Sequence, residues 1–489
     1  MNCFQILVWL VGCLLAGLLT GPVISQDRPN IVVIFCDDMG YNDLGCFGST
    51  KIKTPHLDRM AAEGRKFTNF HVPCSVCSPS RAALLTGCYP KRIQMHEHVL
   101  FPKSKRGLNP YEVTIADHLK EVGYKTACVG KWHLGHYPET LPMAQGFDSY
   151  FGIPYSNDMN HPDNVRPKGA STRDESWKNQ ASVMLWRTPL VIGNEIAELP
   201  TDQRVVTRRY TDQAIEFIQT NVDQPFFLYL PHSMPHIPLF VPDDVYDPDP
   251  QNAYTCTIEH IDAEVGRLLD TLRRLELSKK TIVIFTSDNG PWLTFNNHGG
   301  SADPLRNGKG TPFEGGQRVP CIMWAPDRIP ANTESDAFLT TMDLLPTIAG
   351  WVGHPLGESK IDGFDASQTV TSDVVSPRDE MVYYTANGRL TGIRHGDWKL
   401  LVDPQRQNNR ARKQKEPSEP QVFLFNLGQS VTEQENLAEK HPEIVQRLTA
   451  FMNERDTAIT NEQRPAWFAT SPHPWPDYPD GLPQGDRNQ

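Results

Sequence analysis

Two apolar runs in this sequence are each followed by a pair of polar residues whose side chains could bind a metal ion. The run at 31–35 (IVVIF) precedes Cys36 and two aspartates, and the run at 281–285 (TIVIF) precedes Ser287, an aspartate and an asparagine. Three carboxylates and one amide oxygen are a hard donor set, suited to Ca²⁺ or Mg²⁺ and poor for Zn²⁺. Turn carboxylates on a solvated loop are the alternative. We predict a metal site with the ligands Asp37, Asp38, Asp288 and Asn289.

A second chemical feature is the cysteine-containing segment at 74–90, CSVCSPSRAALLTGCYP. Pro79 suits the first turn of a helix and the residues after Arg81 are strong helix formers, so Cys77 should lie just before a helix amino end. The helix dipole there favours negative charge on a nucleophile and on a bound oxyanion. Two other interpretations remain open, a buried structural cysteine and half of a C-x-x-C redox pair with Cys74.

The elements that must position these residues follow an alternating pattern. Continuous β-branched runs are typical of strands that are buried on both faces of a sheet covered by helices. Between the two runs lie helical patterns that open at Thr54-Pro55 and span 114–122, 207–220 and 258–275. This alternation predicts a doubly wound α/β core, in which ligands gather at the carboxyl ends of the strands.

The composition changes after about Gly363. Residues 381–402 alternate like antiparallel strands with a turn at Asn387-Gly388, and a strand at 422–426 and a helix at about 442–455 follow. The tail from Arg464 is rich in Pro, Trp and Asp and is predicted to be irregular. We therefore predict a catalytic domain at 27–370 and a smaller α+β unit with a small antiparallel sheet at 371–489.

Length and charge exclude several classes of protein. The chain has 489 residues with 47 Lys and Arg against 58 Asp and Glu, a formal net charge of −11. This acidic balance argues against a nucleic-acid partner, because backbone-tracking proteins carry excess basic residues. Hydrophobic residues at 39% are enough for a sizeable core and exclude a disordered chain.

The uncharged run at 4–24 predicts export. Gly21-Pro22 and the small residue Ser25 resemble a cleavage region, so residues 1–25 are interpreted as a signal peptide, with a retained anchor as the alternative. Eight cysteines follow the leader, too few for a disulfide scaffold. The sequence has no Asn-x-Ser/Thr site, which favours a bacterial host and a periplasmic or secreted protein.

The string CSPSRAALLTG at 77–87 resembles the sulfatases, specifically the arylsulfatase A-like, formylglycine-dependent branch of the alkaline phosphatase superfamily. Five further segments resemble the family in the same order: DDMGY at 37–41, GKWHLG at 130–135, GIPYS at 152–156, PHIP at 235–238 and SDNG at 287–290. GKG at 308–310 with EGG at 314–316 completes the series. GDWKL at 396–400 and the segment Glu433 to Ala438 extend the likeness into the smaller unit.

The resemblance implies an alkaline phosphatase-like α/β core, with a large mixed sheet flanked by helices, and a smaller C-terminal α+β domain. It also implies one divalent ion per chain, Ca²⁺ or Mg²⁺, and oxidation of Cys77 to formylglycine by a maturation enzyme during export. One hydroxyl of the hydrated aldehyde would attack sulfur and the second would then expel sulfate. By the same resemblance Arg81 and Lys131 stabilise the hydrate, Lys309 contacts sulfate, His133 is the base, His236 assists the leaving group and Ser156 hydrogen-bonds the sulfate or the hydrate.

One position departs from the family pattern and leaves alternatives open. The family usually has a basic residue directly after L-T-G, where this sequence has Cys88, which could slow or prevent conversion. The alternatives are a phosphonate or phosphate ester hydrolase of the same superfamily and an unconverted glycan-binding relative. The expected substrates are sulfated carbohydrates, with aryl sulfates as surrogates.

Two segments are predicted to lie near the substrate. The loop at 161–187 and the C-terminal domain should set the alcohol half of the substrate. A basic stretch in that domain is either a solvated loop or a rim patch that attracts polyanionic glycans. Its charged residues are Arg406, Arg410, Arg412, Lys413 and Lys415.

Overall fold

The computed structural model describes residues 28–159, 170–404 and 420–471. In the first two thirds of the chain strands and helices alternate, as the sequence predicts, with short 3-10 turns between them. The strands are β1 (Asn30–Cys36), β2 (Arg65–Phe67), β3 (Phe70–His71), β4 (Arg106–Gly107), β5 (Lys125–Val129), β6 (Ser149–Gly152), β7 (Leu190–Ile192), β8 (Glu195–Glu198), β9 (Phe226–Pro231), β10 (Thr281–Ser287), β11 (Cys321–Trp324), β12 (Thr333–Ser335), β13 (Leu339–Thr340), β14 (Glu380–Tyr384), β15 (Leu390–His395), β16 (Trp398–Val402), β17 (Val422–Asn426) and β18 (Trp467–Phe468).

The helices pack on both sides of the main sheet and over the smaller one. Each predicted helix is present, with ends that differ by a few residues from the sequence pattern. The α-helices are α1 (Pro55–Ala62), α2 (Cys77–Thr86), α3 (Ile115–Glu121), α4 (Ala170–Lys178), α5 (Val206–Thr220), α6 (Ala253–Arg274), α7 (Glu314–Gln317), α8 (Leu344–Val352), α9 (Ser367–Thr371) and α10 (Pro442–Asn461).

A ten-stranded mixed sheet forms the centre of the molecule, in the order β12-β2-β11-β10-β1-β9-β5-β6-β7-β8. The five neighbours β10, β1, β9, β5 and β6 are all parallel to one another. The two apolar runs of the sequence, β1 and β10, are adjacent, and Cys36 lies opposite Ser287. The polar pairs that follow the two strands therefore leave the sheet side by side.

Strand β1 explains why the central strands carry continuous apolar runs. Ile31, Val33 and Phe35 face one core cluster, which includes residues of α2, α3 and α8. Val32 and Ile34 face a second cluster, which includes residues of α1, α5 and α6. Both faces of the strand are covered by helices, so neither alternating position can be polar.

Local signals fix one end of each of three helices. The capping box of Thr114 and Asp117 begins α3, since each side chain accepts a hydrogen bond from the other's backbone N–H. Pro55 occupies the first turn of α1. Gly87 ends α2 in the left-handed conformation, with φ 66°.

The C-terminal unit is a four-stranded antiparallel sheet, β14-β15-β16-β17, packed against α10. The hairpin turn predicted at Asn387-Gly388 lies between β14 and β15. The prediction that the tail from Arg464 is irregular is wrong in one place, because β18 pairs antiparallel with β4.

The division of the chain at residue 370 stays a prediction. Four segments named in the sequence analysis lie outside the described residues: the leader, part of the loop at 161–187, the basic stretch at 405–415 and the tail after 471.

The cysteines and helices of the described residues test two further expectations. All eight cysteines there are free thiols, so the structure contains no disulfide within this part of the chain. Among the same residues, no helix combines the length and apolar character needed to cross a bilayer.

A buried ion network joins the small sheet to the main domain. Lys399 on β16 lies 2.8 Å from a carboxylate oxygen of Glu314 and 2.8 Å from one of Glu433. His71 lies 3.0 Å from the other oxygen of Glu314, and the backbone N–H of Glu314 donates to Glu433 at 2.6 Å. The side chains of Lys399 and both glutamates are fully buried, so each depends on the others for its charge to be tolerated.

Replacing Lys399 with methionine should therefore lower the free energy of unfolding by about 3 to 5 kcal/mol, because two buried carboxylates would lose their shared cation. Urea denaturation measures the change. The matched control is Lys440→Met, which removes an exposed pair with Glu435 and should cost less than about 1 kcal/mol. Equal effects of the two substitutions would contradict the network as a major source of stability.

Candidate active site

The polar side chains predicted to carry the chemistry gather at one edge of the sheet, where the five parallel strands end. Asp288 and Asn289 follow β10, and Asp37 and Asp38 follow β1. His236 follows β9, and Ser156 follows β6. Two further predicted residues, Lys131 and His133, follow β5. Residues that run from position 37 to position 289 of the sequence are thus brought together at the ends of the parallel strands.

Backbone conformation at two of these strand ends is unusual. Asp38 has a φ of 66° and His133 a φ of 61°, both in the left-handed region that ordinary residues avoid. Gly130 has a φ of 135°, and a Cβ there would lie 2.0 Å from the carbonyl oxygen of Pro231. Glycine is therefore required where the chain leaves β5 beside the end of β9, immediately before Lys131.

Cys77 is the first residue of α2, the helix that points its amino end at the strand ends. Its side chain is buried, and its thiol donates to Asp37 Oδ1 at 3.3 Å. Lys309 Nζ lies 3.6 Å from the sulfur. Burial, followed by the charge of Asp37, raises the pKa of the Cys77 thiol well above its usual value. An unmodified Cys77 is thus a neutral thiol and a poor nucleophile at neutral pH.

Cys74 does not share this environment. It packs in a small apolar cluster with Val76 and Ala386, and burial raises the pKa of its thiol to about 12. A redox-active pair needs at least one thiol of lowered pKa, and neither cysteine has one.

Arg81, one turn along α2 from Cys77, holds the β10 end of the site. Its Nη2 and Nε donate to Asp288 Oδ2 at 2.7 and 3.0 Å, and its Nη1 donates to the carbonyl of Lys131 at 2.9 Å. The other oxygen of Asp288 accepts the backbone N–H of Asp38 at 3.1 Å. The fully buried guanidinium of Arg81 therefore holds α2 against the segments that follow β10 and β5.

Two lysines neutralise the carboxylates that follow β1. Lys131 Nζ donates to Asp37 Oδ2 and, at 3.1 Å, to Ser156 Oγ. Lys309 Nζ donates to Asp38 at 2.7 Å. The pKa of Asp37 lies well below its usual value because the nearby positive charges, chiefly that of Lys131, outweigh the effect of burial, whereas burial raises the pKa of Asp38 despite Lys309. Burial and the charge of Asp37 raise the pKa of Asp288 to about 7.

The two predicted histidines differ in their contacts. His236 Nδ1 lies 2.6 Å from the carbonyl oxygen of Ile237, and its Nε2 lies 3.3 Å from Ser156 Oγ and 3.7 Å from Asp38. The Nδ1 atom is therefore the one that carries the proton, and Nε2 faces the site. His133 Nε2 donates to the carbonyl of Leu100 at 2.8 Å, which leaves Nδ1 buried without a partner. Burial lowers the pKa of both rings.

These residues fit a divalent cation. Ligand atoms of Asp37, Asp38, Cys77 and His236 lie within 4.8 Å of one another. Asn289 Nδ2 donates to Asp38, whereas its Oδ1 is buried with no hydrogen-bond partner. An orphaned buried carbonyl oxygen is costly unless a cation or donor satisfies it. When all three aspartates are ionised, they balance the charges of Arg81, Lys131 and Lys309. A bound divalent ion would favour these ionised forms and leave the site positive, which suits an anion.

Three residues of the site have no counterpart in the sequence predictions. Trp292 is half-buried, with its ring centroid 4.3 Å from Lys309 Nζ and 5.5 Å from the His236 ring. Asp43 accepts the backbone N–H of Gly40 at 2.6 Å and fixes the turn that carries Asp38. Asn157 lies 3.1 Å from His236 Nδ1. An aromatic residue right after the SDNGP segment was the available signal for Trp292.

The family model described as Sulfatase matches residues 29–354, two thirds of the chain. The chain belongs to the sulfatase family. Arylsulfatase A of Homo sapiens is 39% identical over 375 residues, which cover 76% of this sulfatase and 73% of the relative. N-acetylgalactosamine-6-sulfatase of Canis lupus familiaris is 35% identical over 399 residues, covering 78% and 73%.

Solved structures agree with the sequence relatives. The crystal structure of a sulfatase from Pseudoalteromonas sp. is similar at a TM-score of 0.75 and 26% identity, and the match covers 89% of this sulfatase and 91% of that chain. The predicted fold class, an alkaline phosphatase-like core with a mixed sheet and a small antiparallel C-terminal unit, is confirmed. The protein is an enzyme that hydrolyses sulfate esters.

Proposed function

We propose that this sulfatase hydrolyses sulfate monoesters of carbohydrates through a formylglycine at position 77. The observation that supports this most directly is the setting of Cys77 at the amino end of α2, where it contacts Asp37 and Lys309 but carries a thiol of raised pKa. As a hydrated aldehyde, the same position would supply one hydroxyl to attack sulfur and a second to expel sulfate.

The surrounding side chains have separate roles in this proposal. Lys131 and Arg81 stabilise the developing charge on the nucleophile, and Lys309 contacts the sulfate oxygens. His133 takes the proton of the second hydroxyl through Nδ1, its ring nitrogen without a partner. His236 Nε2 and Lys309 stabilise the leaving oxygen, and Ser156 bonds the sulfate or the hydrate.

The proposed metal ligands are Asp37, Asp38, Asp288 and Asn289, and the ion is Ca²⁺, with Mg²⁺ as the alternative. All four ligands donate oxygen, and the Oδ1 atom of Asn289, which is buried without a hydrogen-bond partner, is the strongest indication of a cation. A divalent ion would polarise a sulfate oxygen at this site.

The proposal also includes export to the periplasm or the medium, with removal of residues 1–25. A maturation enzyme that acts on Cys77 belongs to the same proposal.

Trp292 is positioned to contact the alcohol half of the substrate. Its half-buried ring beside Lys309 and His236 offers a flat apolar face next to the reacting centre, which suits the C–H face of a sugar ring. The choice of a sugar comes from the relatives named N-acetylgalactosamine-6-sulfatase.

Trp292→Ala should raise KM for a sulfated sugar about 10-fold, a loss of about 1.4 kcal/mol of binding, and change kcat much less. Steady-state kinetics with purified enzyme measure both constants. Trp292→Phe is the matched control and should retain most of the affinity because an aromatic face remains. An unchanged KM for Trp292→Ala would contradict the proposed contact between the Trp292 ring and the sugar.

Mass spectrometry of the natively produced protein, combined with a panel of sulfated sugars of known ring position, tests the proposed function. We expect the peptide containing residue 77 to carry an aldehyde in place of the thiol, and at least one sugar of the panel to release sulfate. An unmodified Cys77 with no turnover would favour the glycan-binding relative. Cleavage of phosphonate or phosphate esters in preference to all sulfates would favour the other hydrolase.

A further inference from the structure

A second group of metal-binding side chains lies outside the active site, between helices α3 and α8. His118 and Glu121 are on α3, and His354 follows the end of α8. Each of the three residues offers one ligand atom, and these atoms lie within 4.8 Å of one another. None of them belongs to a motif that the active site uses.

The local sequence fixes the positions of these side chains. His118 and Glu121 are three residues apart, so they occupy one face of α3, whose start is set by its capping box. Gly353 ends α8 in the left-handed conformation with φ 65°, and the N–H of His354 then donates to the carbonyl of Ala349 at 3.2 Å. Helices α3 and α8 pack against each other, which brings His354 over His118.

His118 provides the observation that points to a ligand. Only 2% of the residue is exposed, and its Nε2 atom is buried with no hydrogen-bond partner. The rings of His118 and His354 stack with their centroids 4.8 Å apart, and His354 Nε2 lies 3.1 Å from Glu121 Oε2. A surface ion pair of Glu121 with His354 accounts for two of these side chains, but it leaves the buried nitrogen of His118 unsatisfied.

We propose that His118, Glu121 and His354 bind a divalent transition-metal ion of the Zn²⁺ class, which joins α3 to the end of α8. Two imidazoles and one carboxylate are a frequent protein donor set for zinc, and imidazole favours zinc over Ca²⁺ and Mg²⁺.

The exposure of the three side chains suits this binding. The His354 and Glu121 side chains are 33% and 64% exposed, so they can rotate toward an ion that is bound to the buried His118. Water can complete the coordination on the solvent side. This site is thus distinct in chemistry from the mainly oxygen-lined active site, and it does not depend on the proposed sulfatase mechanism.

Zinc titration of the full-length protein tests the proposal. Isothermal titration calorimetry with Zn²⁺, in the presence of excess Ca²⁺, is compared for the wild type, His354→Gln and Glu121→Gln. Zinc bound at the active site contributes equally to all three proteins, so the difference between them isolates the new site. We expect one fewer bound Zn²⁺ in His354→Gln. Loss of a side chain that only orients a metal ligand lowers metal affinity about 10- to 100-fold. Glu121 is a direct ligand in this proposal, so Glu121→Gln should lower the zinc affinity of the site by at least that factor.

A matched control and a spectroscopic readout complete the experiment. His441 is a similarly exposed histidine beside an acidic residue, Glu443, and His441→Gln should bind as much zinc as the wild type. Co²⁺ substitution should give the visible absorption of a low-coordinate site in the wild type and in His441→Gln, and lose one such contribution in His354→Gln. Thermal denaturation with and without Zn²⁺ is a further readout. The proposal would be overturned if His354→Gln and Glu121→Gln both bound as much zinc as the wild type and showed the same zinc-dependent change in melting temperature.

Discussion

Replacing Cys77 with serine should reduce steady turnover of sulfate esters by about 10⁴-fold or more, which is the scale of losing a covalent nucleophile. A serine hydroxyl can attack sulfur, but it has no second hydroxyl with which to expel sulfate. Steady-state kinetics measure the loss, and mass spectrometry after incubation with substrate should find either a stable sulfate ester at position 77 or no reaction.

Cys74→Ser is the matched control for this substitution. Cys74 is also a buried thiol, only three residues away, but it packs among apolar side chains outside the active site. We therefore expect Cys74→Ser to keep near wild-type kcat and to acquire no sulfate. Sustained turnover by Cys77→Ser would contradict the formylglycine mechanism, whatever the behaviour of the control.

The arrangement of the strands that carry the site could be predicted from the sequence. The central residues of β1 and β10, at 31–35 and 282–285, are all apolar because helices cover both faces, and a polar pair marks the end of each strand. The Gly after Thr86 likewise marks the end of α2. These features depend on neighbouring residues, so a single sequence contains them.

Contacts between distant side chains could not be predicted in the same way. The guanidinium of Arg81 binds Asp288, 207 residues away, and nothing in the spacing of either residue indicates this pair. Trp292 directly follows the SDNGP segment in sequence, but only the fold shows that its ring lies beside Lys309 and His236. The two-residue strand β18 has no periodicity, because its pairing is set by β4 rather than by its own sequence.

Asp38→Asn should lower kcat/KM about 10²- to 10³-fold. If Ca²⁺ is the bound ion, added Ca²⁺ should raise the melting temperature of the wild type, and Asp38→Asn should abolish that rise. The substitution keeps the size and shape of the side chain but removes one negative charge from the proposed ligand set. It should preserve the fold, since Asp38 has a φ of 66° and asparagine adopts this conformation as readily as aspartate. Kinetics and thermal denaturation with and without Ca²⁺ measure the two effects.

Asp327→Asn separates this loss of a ligand from the general effect of an amide in the left-handed conformation. Asp327 has a φ of 69° but is an exposed residue whose carboxylate pairs with Lys279. We expect this variant to keep both its activity and its Ca²⁺-dependent stabilisation, because an exposed pair contributes little. If Asp38→Asn also kept the Ca²⁺ response, Asp38 would not be a metal ligand, and the loss of activity would have to come from its contact with Lys309.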